Sequence, residues 1–280
     1  MLHYALIGHP LGHSLSPQIH RRLFQLEGME ADYLLDDFPP QELEAHLPIL
    51  RRYAAFNITI PYKTALLDRL AGISENARLY GSVNAVQVKD GRLYGDNTDC
   101  TGFLRTLESA GLALRGPVCV AGAGGVGRMF ALEAARQGAQ VTLAARASSL
   151  DKARQVAAEA REKLGAEIAV QPLETLAGPV GLLINATPAG MYPRVEAAPV
   201  PRAVVAEASA VFDCIYNPSQ TLLLQWAREL GKPAVGGMGM LVWQAAAAHE
   251  LWHGTRFSHR VVGQLIQEME AVLEEREAQG

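Results

Sequence analysis

A chain of 280 residues with 25 Lys and Arg against 29 Asp and Glu carries a net charge of -4 and no basic run, which excludes an electrostatic footprint for nucleic acid and makes a small molecule the default partner. At 49% apolar and 19% charged residues the composition is that of a soluble globular protein, long for one core and comfortable for two domains. Cys100, Cys119 and Cys214 are widely spaced without C-x-x-C, which predicts reduced thiols in a cytoplasm and excludes a disulfide framework.

Met1-Leu2-His3-Tyr4 has neither a basic n-region nor a long apolar core, so no signal peptide is expected. The longest uncharged stretch, 233–249, is broken by glycines and Gln244 and does not read as a membrane span. Residues 3–8 form a short apolar strand that breaks at Gly8-His9-Pro10. Ser16 followed by Pro17 reads as an N-cap and first-turn pair, with Ile19, Leu23, Phe24 and Leu26 recurring at helical spacing behind it. Capping alone accounts for Ser16, but not for Ser14. Two hydroxyls two residues apart at a helix N-terminus are placed to hold a carboxylate, which the helix dipole also favours.

A strand over 33–36 and a helix over 40–52 lead to Phe56-Asn57-Ile58-Thr59-Ile60-Pro61-Tyr62-Lys63. The alternation predicts Phe56, Ile58 and Ile60 on a buried face with Asn57 and Thr59 on the other, while Pro61 ends the ladder and sets Lys63 at the opening of a helix. An ammonium there opposes the helix dipole, so its position is better explained by chemistry than by folding; a solvated Lys in a turn is the plain alternative. Residues 83–88 read as a strand returning through an Asp90-Gly91 turn, and Gly95-Asp96-Asn97-Thr98-Asp99 then opens a helix over 103–109. Asp96, Thr98 and Asp99 are all plausible caps. A cap needs one of them, which leaves Asp99 able to orient Lys63 and a substrate hydroxyl together.

The run Val118-Cys119-Val120-Ala121 flows into Gly122-Ala123-Gly124-Gly125-Val126-Gly127, a G-x-G-x-x-G motif between a strand and a helix over 128–137, with a second strand over 140–144. The first glycine permits the turn, the second lets backbone approach a pyrophosphate, and the third lets the helix lie against the sheet, its amides facing the phosphates. No Asp or Glu closes the second strand to accept from the ribose hydroxyls of NAD. Arg146, with Ser148 and Ser149 behind it, stands there instead, which favours the 2'-phosphate of NADP and keeps NAD as the alternative.

A helix over 150–164 and strands near 168–170, 181–184 and 210–213 continue the alternation, so the fold class is α/β with a doubly wound, Rossmann-like sheet. Asn185 to Met191 and Asp213 to Pro218 fall at strand ends, where such sheets carry their ligand loops. The last helix carries Val261, Val262, Leu265, Ile266, Met269, Val272 and Leu273 on one stripe and has to pack on something; packing on the N-terminal domain would make that domain discontinuous. His249-Glu250-Leu251-Trp252-His253 is H-E-x-x-H, with His259 where a metzincin carries its third zinc ligand. The turn glycine such a site needs is Arg256, so the helix is read as packing and no metal is expected.

These segments together resemble the shikimate/quinate dehydrogenase family over nearly the whole chain. The matching motifs are Ser14-Leu15-Ser16, Asn57 to Lys63, Gly81-Ser82-Val83-Asn84, Gly95 to Asp99 with Gly102, Gly122 to Gly127, Asn185 to Met191 and Gly237 to Gln244. The resemblance implies an N-terminal α/β substrate domain over 1–101, a dinucleotide domain over 102–237 and C-terminal helices over 238–280 returning to the first domain. It implies an enzyme in which Lys63 is the acid/base and Asp99 its partner. By the same resemblance Ser14, Ser16, Thr59, Asn84, Tyr216 and Gln244 bind the substrate, and Glu75, Cys214 and Gly237 lie near the cofactor. The implied reaction is the reversible NADPH-dependent reduction of 3-dehydroshikimate to shikimate, in a monomer or homodimer. A quinate or dual-specificity enzyme using NAD is the rival, and a non-catalytic dinucleotide-binding regulator is the rival of another class. Ala145 and Ala147 stand where the family has Asn and Thr around Arg146, and Ala85 where Thr is common.

Overall fold

Apolar runs bounded by glycine and proline become the strands of two six-stranded sheets in the computed structural model, which describes residues 1–12 and 14–279. The chain divides into two units, Met1–Phe103 with Leu241–Met269, and Leu104–Met240 with Glu270–Gly280.

In the first unit β1 (Leu2–Gly8), α1 (Ser16–Glu27), β2 (Ala31–Asp37), α2 (Leu43–Leu50) and β3 (Ala55–Ile58) precede a one-turn α3 (Tyr62–Ala65), and β4 (Gly72–Ile73), α4 (Glu75–Tyr80), β5 (Ala85–Lys89) and β6 (Arg92–Asp96) follow it. The strand order is β2-β1-β3-β5-β6-β4, with β1 parallel to β2 and β3, and β5 antiparallel to β3 and β6. Alternation along β1 sends Ala5 and Ile7 to a cluster with Phe56, Ile58, Tyr62 and Leu50, and Tyr4 to a second cluster with Phe24, Ala248 and Trp252. Both faces are therefore buried, and the strand needs no polar side.

Three local expectations change. Strand β3 ends at Ile58, so Ile60 leaves the buried face and is 69% exposed. Helix α1 takes Leu15 as its N-cap residue with no side-chain cap; Ser16 is its first residue, and its N–H donates to Ser14 Oγ at 3.1 Å. Ser14, not Ser16, thus closes that helix end. Helix α5 (Thr98–Ser109) starts at Thr98 rather than Phe103, because Asn97 Oδ1 accepts the Cys100 N–H at 3.3 Å. Asn97 does the capping expected of its neighbours.

The second unit holds β7 (Pro117–Ala121), α6 (Gly125–Arg136), β8 (Gln140–Ala145), α7 (Leu150–Leu164), β9 (Ile168–Pro172), β10 (Val180–Asn185), α8 (Arg202–Glu207), β11 (Ala208–Asp213), α9 (Leu222–Glu229) and β12 (Ala234–Val235). All pairs are parallel, in the order β12-β11-β10-β7-β8-β9, so the winding reverses between β7 and β10 as in a Rossmann sheet. Helices on both faces account for the unbroken burial of Val118 to Ala121 and Leu182 to Asn185. Helices α10 (Met238–His253) and α11 (His259–Gln279) close the chain, and Val262, Leu265, Met269 and Leu273 form the buried stripe of α11. From Glu270 onward α11 groups with the second unit. Among the described residues no helix is long and apolar enough to cross a membrane.

Candidate active site

Tyr62 is fully buried; its hydroxyl donates to Phe38 O and its ring stacks on Phe38 at 4.7 Å. That anchor fixes the turn, and the Val83 N–H bonds to Lys63 O at 2.8 Å, so the Lys63 backbone is held from two sides. The Lys63 side chain is 26% exposed, and its Nζ donates to Asp99 Oδ2 at 2.6 Å, Asp99 being 14% exposed in the first turn of α5. The other oxygen, Asp99 Oδ1, accepts from Asn84 Nδ2 at 2.9 Å. Asn84, 2% exposed before β5, also takes the Thr98 N–H on its Oδ1 at 2.6 Å and points Nδ2 at Gln244 Oε1, 3.3 Å away on α10. Gln244 Nε2 is in turn held by Leu241 O at 2.8 Å. One chain of bonds thus joins Lys63, Asp99, Asn84 and Gln244. It presents a partly exposed ammonium whose carboxylate partner is already oriented, which is an arrangement for giving and taking a proton.

Asn57, buried beside this chain, is occupied structurally: it donates to Asn84 O at 3.1 Å and accepts the Tyr33 hydroxyl at 2.8 Å. Thr59 is half-buried, with its N–H on Ile7 O at 2.9 Å. Ser14 and Ser16 follow the loop after β1, which Asp37 braces by accepting the Leu11 N–H at 2.7 Å. Among the described residues no side-chain hydrogen bond joins Ser14, Ser16 or Thr59 to the Lys63 chain. Glu75 lies exposed in the first turn of α4, behind the Ser74 cap, and has no part in the chain.

In the second unit the glycine motif has a steric reason at each end. Gly122 has φ 108°, and a Cβ on Gly127 would sit 1.9 Å from Gly122 O, so neither position admits a side chain. The 12-residue helix α6 therefore starts hard against the loop, with Gly124 at its N-cap and no side-chain cap over its first amides. A cavity of about 310 Å³ opens there, lined by Gly122, Ala123 and Gly124 on one side and Arg146, Ser148 and Ser149 on another. Gly125 and Val126 are the first residues of the helix. The backbone turn, open amides and a nearby cation match what a dinucleotide needs.

At the ends of β10 and β11, Asn185 Nδ2 donates to Asp213 Oδ1 at 2.9 Å while its Oδ1 takes the Thr187 N–H at 2.9 Å. Asp213 also accepts from Thr221 Oγ1 at 2.7 Å and the Ile215 N–H at 3.1 Å, and burial nevertheless pushes its carboxyl up to about 6. This pair fixes both strand-end loops. Gly237 donates its N–H to Ile215 O at 2.9 Å, and a Cβ on it would lie 2.2 Å from Cys214 O, so Cys214 and Gly237 share one backbone contact. Burial pushes the half-buried Cys214 thiol up to about 12, and Tyr216 beside it is likewise shifted upward by burial. Neither is poised to ionise at neutral pH.

The H-E-x-x-H helix resolves differently from its sequence pattern. His249 Nδ1 and His253 Nδ1 both point at Glu27, at 2.8 and 3.0 Å, whereas His259 packs on Trp243 with ring centroids 4.9 Å apart. Glu27, at the end of α1, has no sequence signal linking it to residues 249 and 253.

Known proteins resemble the chain over most of its length. The pattern described as the shikimate dehydrogenase substrate binding domain matches residues 6–86. The chain is 38% identical over 255 residues to a shikimate dehydrogenase (NADP(+)) of Thermus thermophilus, covering 91% of this chain and 93% of that one. It superposes with a TM-score of 0.86 on a crystal structure of shikimate 5-dehydrogenase from Thermus thermophilus in complex with NADP(H) and shikimate, at 35% identity, covering 96% and 99% of the two chains. The ligand-free 5-ketofructose reductase of a Gluconobacter strain is also similar, with a TM-score of 0.82, 30% identity and coverage of 96% and 98%.

Proposed function

The chain belongs to the shikimate dehydrogenase family, and on that premise we propose how its residues carry out the reversible reduction of 3-dehydroshikimate to shikimate with NADPH. The observation that carries the reading is the 2.6 Å contact of Lys63 Nζ with Asp99 Oδ2, continued through Asn84 to Gln244. When bound, NADPH supplies the hydride to the substrate carbonyl carbon. Negative charge then develops on the carbonyl oxygen, and Lys63 donates the proton that neutralises it. In the oxidative direction Lys63 takes that proton from the hydroxyl. Asp99 holds the ammonium in position and reaches a substrate hydroxyl, while Asn84 and Gln244 bind the ring hydroxyls. Ser14 and Ser16, with Thr59, hold the carboxylate, a handle remote from the reacting carbon.

The cofactor fits the second unit because Gly122 and Gly127 let the loop turn and the helix start close against it, while a Cβ at Gly124 or Gly125 would meet nothing within 4 Å. Gly122 to Gly127 receive the pyrophosphate, Arg146 with Ser148 and Ser149 receives the 2'-phosphate, and Cys214 and Gly237 complete the cofactor site. Ala145 and Ala147 flank Arg146 with no polar group, which supports a reduced discrimination against NAD. Cys100, Cys119 and Cys214 form no disulfide, which favours a reducing cytoplasm. Steady-state kinetics with shikimate and quinate against NADP and NAD test the assignment. The expected result is the highest kcat/KM with shikimate and NADP. A higher value with quinate and NAD would transfer the chain to the other branch of the family, and no turnover with any pair would make it a binding protein.

A further inference from the structure

We propose that Glu27, His249 and His253 form a structural binding site for one divalent transition-metal ion of the zinc class, apart from the reduction chemistry. One ligand atom from each residue lies within 4.8 Å of the others. The two histidines, one helical turn apart on α10, present their Nδ1 atoms on the same face. The end of α1 brings Glu27 against both: His249 Nδ1 is 2.8 Å from Oε2, and His253 Nδ1 is 3.0 Å from Oε1 and from Oε2 alike. The carboxylate therefore offers both oxygens to the same point. Two imidazole nitrogens and one carboxylate make three protein ligands of the kinds zinc takes, and a water completes the four-coordinate set. Ligands at about 2.0 to 2.1 Å from zinc in a tetrahedron are about 3.3 Å apart, so the 2.8 and 3.0 Å contacts between the imidazoles and Glu27 have to open by a few tenths of an ångström to admit the ion.

The outer atoms of both rings are also held. His253 Nε2 is 2.8 Å from the Tyr4 hydroxyl, and His249 Nε2 is 3.0 Å from His20 Nδ1. Zinc-ligating histidines are oriented by such partners on their second nitrogen. The metal-free arrangement places a proton on each Nδ1, donated to Glu27; the metal-bound one moves it to Nε2, donated outward to Tyr4 and His20. The cost falls on His20, whose Nε2 has no partner and would carry the displaced proton. The Glu27 and His249 side chains are 2% and 0% exposed, and His253, at 14%, is the most exposed of the three. The ion would tie the end of α1 to α10.

The test uses the untagged full chain stripped with a chelator, titrated with ZnCl2 by calorimetry and with CoCl2 by visible absorption. One Zn2+ per chain, a tetrahedral Co2+ spectrum and a rise in Tm are expected. Glu27→Gln, which keeps the side-chain volume, should abolish stoichiometric binding, and His253→Gln should do the same. Tyr4→Phe, which removes only the outer hydrogen bond, should weaken binding about ten- to a hundredfold. Unchanged binding in Glu27→Gln and His253→Gln would assign the metal to surface pairs such as His3 with Asp32 and overturn the proposal. So would the absence of Zn2+ binding in the wild-type chain, which would leave the cluster a hydrogen-bonded network only.

Discussion

Asp99 divides its two oxygens between Lys63 Nζ at 2.6 Å and Asn84 Nδ2 at 2.9 Å. In Asp99→Asn only one oxygen remains for two donors, and whichever donor is not served faces an N–H. The substitution therefore dislodges either the ammonium or Asn84, and a positional loss is added to the loss of charge. General acid/base help is worth about 10²- to 10⁴-fold, and we expect Lys63→Ala to lower kcat by that factor with a much smaller effect on shikimate binding. Asp99→Asn should lose a large share of the same factor, and the double mutant should be little worse than Lys63→Ala. Fully multiplicative losses in kcat would show two separate roles.

The serines exchange their value as probes. Ser14 Oγ accepts the Ser16 N–H, so Ser14→Ala opens the start of α1 and costs about 1 kcal/mol of stability in addition to any substrate contact. Ser16 has no cap to lose. Ser16→Ala should raise KM for shikimate about five- to tenfold, the worth of one hydrogen bond of about 1 to 1.5 kcal/mol, with Tm and KM for NADP unchanged. A fall in kcat with KM intact would place Ser16 at the reacting end instead.

Arg146 lines the 310 Å³ cavity beside the glycine loop, with Ser148 and Ser149 as its polar neighbours in the sequence that follows. Loss of one charged phosphate contact costs about 1.5 to 3 kcal/mol, so Arg146→Ala should weaken NADP about ten- to a hundredfold and leave NAD nearly unchanged. Direct titration of both dinucleotides reads this out. An equal loss for both would give Arg146 a structural role.

Asp213 supplies a pH signature. Its carboxyl is raised by burial from 3.8 to about 6, against the pull of Thr221, Ile215 and Asn185. Between those values the folded chain binds more protons than the unfolded one, so this group's contribution is fully present below about 4 and is lost as pH rises through about 6. The difference corresponds to about 3 kcal/mol. Asp213→Asn keeps an acceptor for Asn185 and Ile215 and does not titrate. Denaturant unfolding of the two proteins at pH 4 and pH 7 should show the wild type losing stability relative to the variant over that interval; parallel curves would show that Asp213 stays ionised throughout.

Local rules were enough to read the parallel sheet of the second unit, the glycine loop and the bounds of α7. There a strand buried on both faces, a turn that excludes side chains and a capped amphipathic helix each leave a pattern within a few residues. The position of Lys63 after Pro61 and of Asp99 in a helix start was legible for the same reason. Pairing them rested on Asp99 being one polar group more than a helix cap needs, and on the family resemblance, since 36 positions separate them and no periodicity links them. Tertiary structure alone decided which of several neighbouring polar residues does which task. Asn97 caps α5 because Asp96 is taken by Ser74 at 2.5 Å and Asp99 by Lys63 and Asn84, and Ser14 serves the amide that Ser16 exposes. Glu27 meets His249 and His253 because α1 and α10 both pack on Tyr4 of β1, through Phe24 and Trp252 in one cluster. Burial sets those choices, because each buried donor must find an acceptor in space, and distance along the chain does not enter that requirement.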